Sequence, residues 1–342
     1  MRAAIIREHG GLDRLVFEPN YPDPVVRPGD LLVRVRACAL NYHDVFTRKG
    51  MPGIKIPFPL IMGIDAAGDV VETGAAVADF KPGDRVLIDP IDRVDRGFMG
   101  ETFDGGLAEL VRVPAHMAIK LDPGVDYASA AALPTAYGTA HRMMLARGKL
   151  AAGETVLILG ASGGVGTCCV QLAKRAGARV VAAASSAAKL ARLAELGADI
   201  GIDYSSGDWV AECHRLFGRA RTAKRDEGGL DMVVNFTGGE TWTKALRVLR
   251  RDGRMLTCGA TAGYDPPEDI RYIWTFELNI VGSNGWSRDD VLALLAMVKD
   301  GTLVPVLHPQ RYALEDAGEA MRVLEAREAF GKVIVEPAAR AR

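Results

Sequence analysis

A chain of 342 residues is long for one hydrophobic core, and 49% hydrophobic with 25% charged residues describes a folded globular protein of two domains. The formal net charge of -1 argues against a nucleic-acid partner, and no apolar run is long enough to cross a bilayer. Five scattered cysteines without zinc-site spacing, and a start that reads as a strand rather than a signal peptide, point to a reduced cytoplasmic protein.

The first part of the chain reads as short strands separated by proline-glycine turns. Strand-like runs at 3–6, 15–18 and 31–37 lead to a polar cluster, Asn41, Tyr42, His43 and Asp44, ahead of a short helix ending near Lys49. Further strands are expected at 69–72 and 107–113, with a turn and strand over 80–88 and residues 89–106 irregular. This pattern suggests a barrel-like β domain. Residues 128–144 are small and apolar and predict a helix entering a second domain.

From residue 155 the pattern changes to strand and helix in alternation. Strands are predicted at 155–160, 179–184, 200–202, 231–236 and 254–259, with helices at 164–176, 187–196, 207–217 and 240–250. That predicts a doubly wound parallel sheet with right-handed crossovers. The charged insert 219–229 reads as a solvated loop. A strand near 280–282, a helix at 287–299 and a closing strand at 331–335 complete the chain.

The stretch 155–166 organises the rest. A wholly apolar strand runs into glycines and then a helix, the context that a dinucleotide fingerprint needs. Gly163 admits a pyrophosphate to the backbone and Gly166 lets helix and strand pack closely; Ala161 stands where the first glycine of the usual pattern would be. The second strand ends in Ala184 and Ser185 instead of the acid that an NAD ribose prefers. Ser185, Lys189 and Tyr204 could hold a 2′-phosphate, so NADPH is the expected cofactor. Asn235, Gly259 and Ala260 follow strand ends and are expected to present backbone to the nicotinamide.

These motifs resemble the medium-chain dehydrogenase/reductase superfamily over the whole chain. The matching residues are Gly63, Asp65 and Gly68; 81–86; Gly105, Gly106, Ala108 and Glu109; 130–134; 160–166; and Phe330, Gly331 and Lys332. The resemblance implies an α/β protein with a GroES-like β-barrel catalytic domain (1–127 and 277–342) and a doubly wound Rossmann NADP(H)-binding domain (128–276). It adds Ser162, Gly164, Val165, Ser283 and Lys332 to the expected cofactor contacts. Asn41 and Ile64 stand where the zinc alcohol dehydrogenases of the family have ligands, and residues 89–104 lack the cysteines of their structural zinc lobe, so no metal is expected.

The departures resemble the zinc-free quinone oxidoreductase and enoyl-CoA reductase branch. Asn41 with Asp44 matches the former; Glu101 with Gly105 and Gly106, residues 258–264 and residues 280–283 match the latter. The carboxylating relatives have a His where this chain has Asn284 and a Phe where it has Gly100, so plain reduction is expected. Asn41, Tyr42, His43 and Glu101 are the candidate catalytic residues, donating to the developing oxyanion or relaying a proton. The expected activity is NADPH-dependent hydride transfer to an activated C=C bond or a quinone in a small-molecule substrate. A zinc-type alcohol dehydrogenase and a non-catalytic NADPH-binding protein are the alternatives. A homodimer is expected, through an edge strand at 273–281.

Overall fold

The computed structural model describes residues 1–223 and 227–338. They form two compact units, 1–136 with 291–338, and 137–290. The expected borders at 127/128 and 276/277 both move toward the C-terminus. The first moves because the helical stretch does not begin a new domain at 128. It runs as Tyr127–Ala131, a π-helical turn at Leu133–Gly138, Thr139–His141 and a second π-helical turn at Arg142–Arg147, and the border falls inside it. The second moves because the strand Asn279–Gly282 belongs to the sheet of the second unit.

The first unit is β-rich. Its main sheet runs Ala118–Lys120, Arg85–Ile88, Asp65–Thr73, Asp30–Ala39, Lys332–Val335, Leu307–Tyr312, and Leu110–Pro114 also pairs with the central Asp30–Ala39. A smaller sheet orders Val16–Glu18, Ala3–Ile6 and Leu60–Ile61. Residues 89–106, expected irregular, contain one short hairpin, Ile91–Asp92 with Gly97–Phe98. Alternation along Leu31, Val33 and Val35 turns these side chains into one core with Val70, Val86, Val111 and Val333. Leu60–Ile61, Ala118–Lys120 and two longer elements here went unpredicted. Leu307–Tyr312 carries His, Pro, Gln and Arg in its middle, and Ala317–Glu325 is an alanine-rich helix whose Ala320 and Met321 are buried in that core.

The second unit is a six-stranded parallel sheet ordered Ile200–Asp203, Arg179–Ala184, Thr155–Ile158, Leu230–Val234, Leu249–Thr257, Asn279–Gly282. By position in the sequence this is the order 3-2-1-4-5-6 of dinucleotide-binding sheets, with the reversal between the first and fourth strands. Val156, Leu157 and Ile158 are completely buried, as a strand covered on both faces requires. The predicted helix 240–250 is only Thr241–Leu246. The strand starts at Leu249 and extends over Arg250, Arg251, Asp252 and Gly253, which had been placed at the end of that helix and between it and the strand 254–259. The expected edge strand 273–281 is also shorter: Arg271–Thr275 is helical and only Asn279–Gly282 is strand. Tyr272, Ile273 and Trp274 have strand propensity, but local helical pairing wins there. Of the insert 219–229, residues 224–226 lie outside the described residues. No helix among the described residues is long and apolar enough to cross a membrane.

Candidate active site

In the second unit the turn 160–166 is built around close backbone approach. A Cβ at Gly166 would sit 2.5 Å from the Gly160 carbonyl oxygen and 2.6 Å from the Ala161 backbone, so only glycine fits. Gly163, by contrast, has room: a Cβ there would meet only Gly160 O, at 3.7 Å. Gly163 is the N-cap of the 12-residue helix Gly164–Arg175 and offers no capping side chain. The first N–H groups of that helix therefore face outward without an internal acceptor, with the positive end of the helix dipole behind them. Ser162, Gly164 and Val165 lie on this turn.

The neighbouring turn supports it. Asn235 follows the strand Leu230–Val234, and its Oδ1 accepts from the Thr237 and Gly238 N–H groups at 3.1 and 3.0 Å. Its Nδ2 is buried with no hydrogen-bond partner. An orphaned buried donor beside a cradle open at Gly163 fits the polar groups of a dinucleotide.

The ends of the second and third strands also come together. Ala184 pairs with Asp203, so Ser185 and Tyr204 follow side by side, and Tyr204 N–H donates to Ala184 O at 3.2 Å. Lys189 lies in the first turn of the helix Ala187–Glu195, its backbone held by Ser186 Oγ at 3.3 Å, and burial lowers its ammonium from the ordinary lysine value. Asp203 is one acid that sequence reasoning overlooked here. Its carboxylate is turned into the next bend, accepting from Ser205 N and Oγ at 2.8 and 2.6 Å.

In the first unit Asn41 begins the helix Tyr42–Lys49 and sits in a buried polar network. Its Nδ2 donates to Asp65 Oδ2 at 2.9 Å and to Ala39 O at 3.2 Å, and its Oδ1 accepts from the Lys332 ammonium. Lys332 also pairs with Asp65 at 3.4 Å, and Thr135 Oγ1 donates to Asp65 Oδ1 at 2.7 Å. This corrects two expectations. Both Asn41 donors are already engaged, so its amide braces the loop instead of offering a free donor. Lys332, expected on the cofactor, is 2% exposed and holds Asn41 and Asp65. Burial pulls the lysine below its ordinary value and pushes Asp65 above the usual carboxylate range, each offset by the other's charge. Asp65 and Thr135 were missed as network members, although Asp65 lies in a quoted motif.

His43 and Glu101 do meet, with Nε2 to Oε2 at 2.5 Å, and the imidazole stands edge-on to Phe98. Both are partly accessible, so a proton held between them can be exchanged. Tyr42 makes an edge-to-face contact with Phe46 and packs on the core. Asp44 accepts the Asn41 N–H at 2.7 Å, acting as a helix cap. Its other oxygen is buried without a partner, and burial pushes its carboxyl up to about 6.

A folded-state value of about 6 against an ordinary 3.8 means that protonated Asp44 favours the fold. That contribution is present below the unfolded value and is lost as pH rises through about 6. Chemical denaturation of the protein and of Asp44→Asn at pH 7 and pH 5 should therefore show the parent gaining ~1 kcal/mol relative to the variant on acidification. A constant or opposite difference would remove the assignment.

Ile64 is fully buried, and among the described residues no three His, Cys, Asp or Glu side chains converge as metal ligands. Gly259 and Ser283 line a concavity at the carboxyl ends of the strands Leu249–Thr257 and Asn279–Gly282.

Residues 27–123 match the family model of the alcohol dehydrogenase GroES-like domain, and residues 164–300 match that of the zinc-binding dehydrogenases. The chain is 32% identical over 98% of its length to the chloroplastic NADPH-dependent alkenal/one oxidoreductase of Arabidopsis thaliana, covering 80% of that protein. The chain belongs to the medium-chain dehydrogenase/reductase superfamily. Within this superfamily it falls in the zinc-free reductase branch. It is 30% identical to the crotonyl-CoA reductase of Streptomyces avermitilis, over 88% of this chain and 77% of that one. The solved structure of an NAD-dependent alcohol dehydrogenase superposes with a TM-score of 0.89 at 34% identity, covering 98% of this chain and 99% of its own. The GroES-like and Rossmann architecture expected of such a chain is the one observed.

Proposed function

We propose that this protein is an NADPH-dependent reductase of activated C=C bonds or quinones that works without zinc. The observation that carries this reading is the pair Asn41 and Ile64: a braced amide and a buried aliphatic chain occupy the positions where zinc members of the family place ligands. Without a Lewis acid, an acceptor that is already polarised by conjugation fits best. The names of the alkenal/one oxidoreductase and crotonyl-CoA reductase support the same class.

When bound, the nicotinamide cofactor supplies the hydride. The chain's own residues bind and orient. The turn at Ser162, Gly163, Gly164 and Val165 receives the pyrophosphate, and Ser185, Lys189 and Tyr204 receive the 2′-phosphate. Asn235, Gly259 and Ala260 face the nicotinamide with backbone or amide groups. The His43–Glu101 pair holds the proton that the α-carbon needs, Tyr42 borders the same loop, and Lys332 with Asp65 keeps Asn41 in place.

Oxidation of NADPH and of NADH against crotonyl-CoA, a simple enone, a quinone and an aldehyde tests this, with metal content measured on the same sample. NADPH-preferring turnover of a conjugated acceptor without zinc is the expected result. Turnover of the aldehyde alone, with zinc bound, would replace the reading by an alcohol dehydrogenase. Binding of NADPH with no turnover of any acceptor would replace it by a non-catalytic nucleotide-binding protein. We also propose a homodimer through the exposed strand Asn279–Gly282 and the exposed Ile270 and Trp274 beside it. Light scattering at micromolar concentration should give twice the chain mass; a monomer removes that proposal.

A further inference from the structure

We propose that Glu101 and the turn that carries it make His43 deliver a proton from Nδ1 to carbon, and that this device serves the reduction of C=C bonds rather than of quinones. His43 is the group that touches the acceptor; Glu101 and Thr102 are positioning residues. The role rests on the reductase reading, whereas the arrangement of the turn does not.

Three observations carry it. First, the two ring nitrogens of His43 have different duties. Nε2 meets Glu101 Oε2 at 2.5 Å, and among the described residues Nδ1 makes no hydrogen bond. A carboxylate only accepts, so the hydrogen it binds sits on Nε2 and the second hydrogen of the imidazolium sits on Nδ1. The His43 side chain is 34% exposed against 16% for Glu101, so the ring is the more open of the two. Second, the imidazole is held on two sides by one turn. Glu101 takes its nitrogen, and the Phe98 ring stands edge-on to it with centroids 5.3 Å apart. Third, Thr102 closes that turn. Its Oγ1 accepts from the Phe98 N–H at 2.7 Å and donates to the Phe98 carbonyl at 3.2 Å, and the Glu101 and Thr102 N–H groups donate to the same carbonyl at 3.1 and 2.8 Å. Gly100, at φ 73°, seats the turn on the chain below: a Cβ there would lie 2.8 Å from Gly63 C and O.

Once its β-carbon has received a hydride, a conjugated acceptor is an enolate, its electron pair shared between the carbonyl oxygen and the α-carbon. The Nδ1–H bond of the His43 imidazolium breaks, and the proton forms the C–H bond at the α-carbon with that pair. The ring is left neutral, its remaining hydrogen still donated to Glu101, and water returns a proton to Nδ1. Protonation at carbon is slow because the electron pair must be drawn back from oxygen, so it gains from an acid held in a fixed place. A reduced quinone takes its protons on oxygen, where water supplies them rapidly. An oriented imidazolium is therefore of use chiefly to a C=C acceptor.

Long-range 1H–15N correlation spectra of protein labelled with 15N-histidine test the arrangement without any turnover. The chain has six histidines, and loss of one signal set in His43→Gln identifies those of His43. A strongly downfield proton bonded to Nε2 of His43 is expected in the parent, lost in Glu101→Ala and weakened in Thr102→Val. Such a proton on Nδ1 instead, none on either nitrogen, or a signal unaltered by Glu101→Ala would overturn the proposal.

Steady-state kinetics with a simple enone and a quinone test the role. Thr102 is exposed, and among the described residues its side chain bonds only within its own turn, so its variants should fold. Glu101→Ala should lower kcat for the enone about a hundredfold with KM changed less than about threefold, and Thr102→Val should lower it about tenfold. Thr102→Ser keeps the hydroxyl and should recover most of that loss. In Glu101→Ala and Thr102→Val the ratio of enone to quinone turnover should fall at least about fivefold, and the solvent deuterium isotope effect on enone turnover should rise as proton transfer to carbon becomes the slow step. A merely structural role would lower both acceptors alike and leave the isotope effect where it was. That result, a Thr102→Ser variant no better than Thr102→Val, or turnover of the quinone alone would overturn the proposal; if the enone alone is turned over, the isotope effect decides. Turnover of neither acceptor by the parent would fault the reductase reading, while the spectra still decide the arrangement around His43.

Discussion

Lys332→Met should destabilise the protein by ~3–5 kcal/mol, the usual loss when one partner of a buried ion pair is removed. The ammonium is the only cation in contact with Asp65 among the described residues, and it also holds the Asn41 amide oxygen. Without it Asp65 keeps its bonds from Asn41 and Thr135 but loses its compensating charge. Burial already pushes Asp65 above the usual carboxylate range, so the variant can relieve part of the loss by taking up a proton. Asp65→Asn together with Lys332→Met should then recover more than half of it, because no charge is left unpaired. Urea denaturation of the parent, the single and the double variant reads this directly. A single variant within 1 kcal/mol of the parent, or a double variant no better than the single, would show that the network is not what braces Asn41.

The second large effect is expected at Gly166→Ala. The added methyl would lie 2.5 Å from Gly160 O and 2.6 Å from the Ala161 backbone, and neither is a flexible side chain that can swing away. The helix must shift from the strand, at a cost of ~1–3 kcal/mol in stability. The same shift moves the N–H groups that would meet the pyrophosphate, so NADPH affinity should fall at least about a hundredfold, as misplacement of a preorganised site does. Gly163→Ala is the control. Its methyl has space, at 3.7 Å from the nearest atom, and the chain there is in an ordinary extended conformation. It should leave stability within ~0.5 kcal/mol of the parent and act on cofactor binding alone. Equal losses of stability in the two variants would contradict the distinction.

Much of the second unit was legible because its signals are local. The apolar run Val156 to Leu159, the glycines after it and the alternation of strands with helices each occupy a few consecutive residues. The failures have physical causes too. Arg250 to Gly253 has turn composition, and the strand bulges there: its register with Leu230–Val234 jumps from Leu249 to Arg254, and Asp252 has a positive φ. Leu307–Tyr312 is polar in its middle because half of its residues are exposed, and only its position beside Lys332–Val335 makes it a strand.

The site of the first unit was half legible. His43 and Glu101 were chosen separately for their chemistry, and the fold pairs them. The role of Lys332 was not readable, since its partners are 267 and 291 residues away in sequence.

The wide separation of Lys332 from Asn41 has a consequence for how the protein is made. The second unit is one unbroken stretch, 137–290, and can reach its native pairings as soon as that stretch has left the ribosome. The first unit is begun before it and completed after it: Asp30–Ala39 acquires its neighbour Lys332–Val335 only after the whole second unit has been synthesised. Until then Asp65 has no counterion and the early β segments lack one flank of their main sheet. The order of assembly is therefore inverted with respect to the order of synthesis, and the interval of greatest exposure to chaperones and proteases belongs to the β segments translated before the second unit.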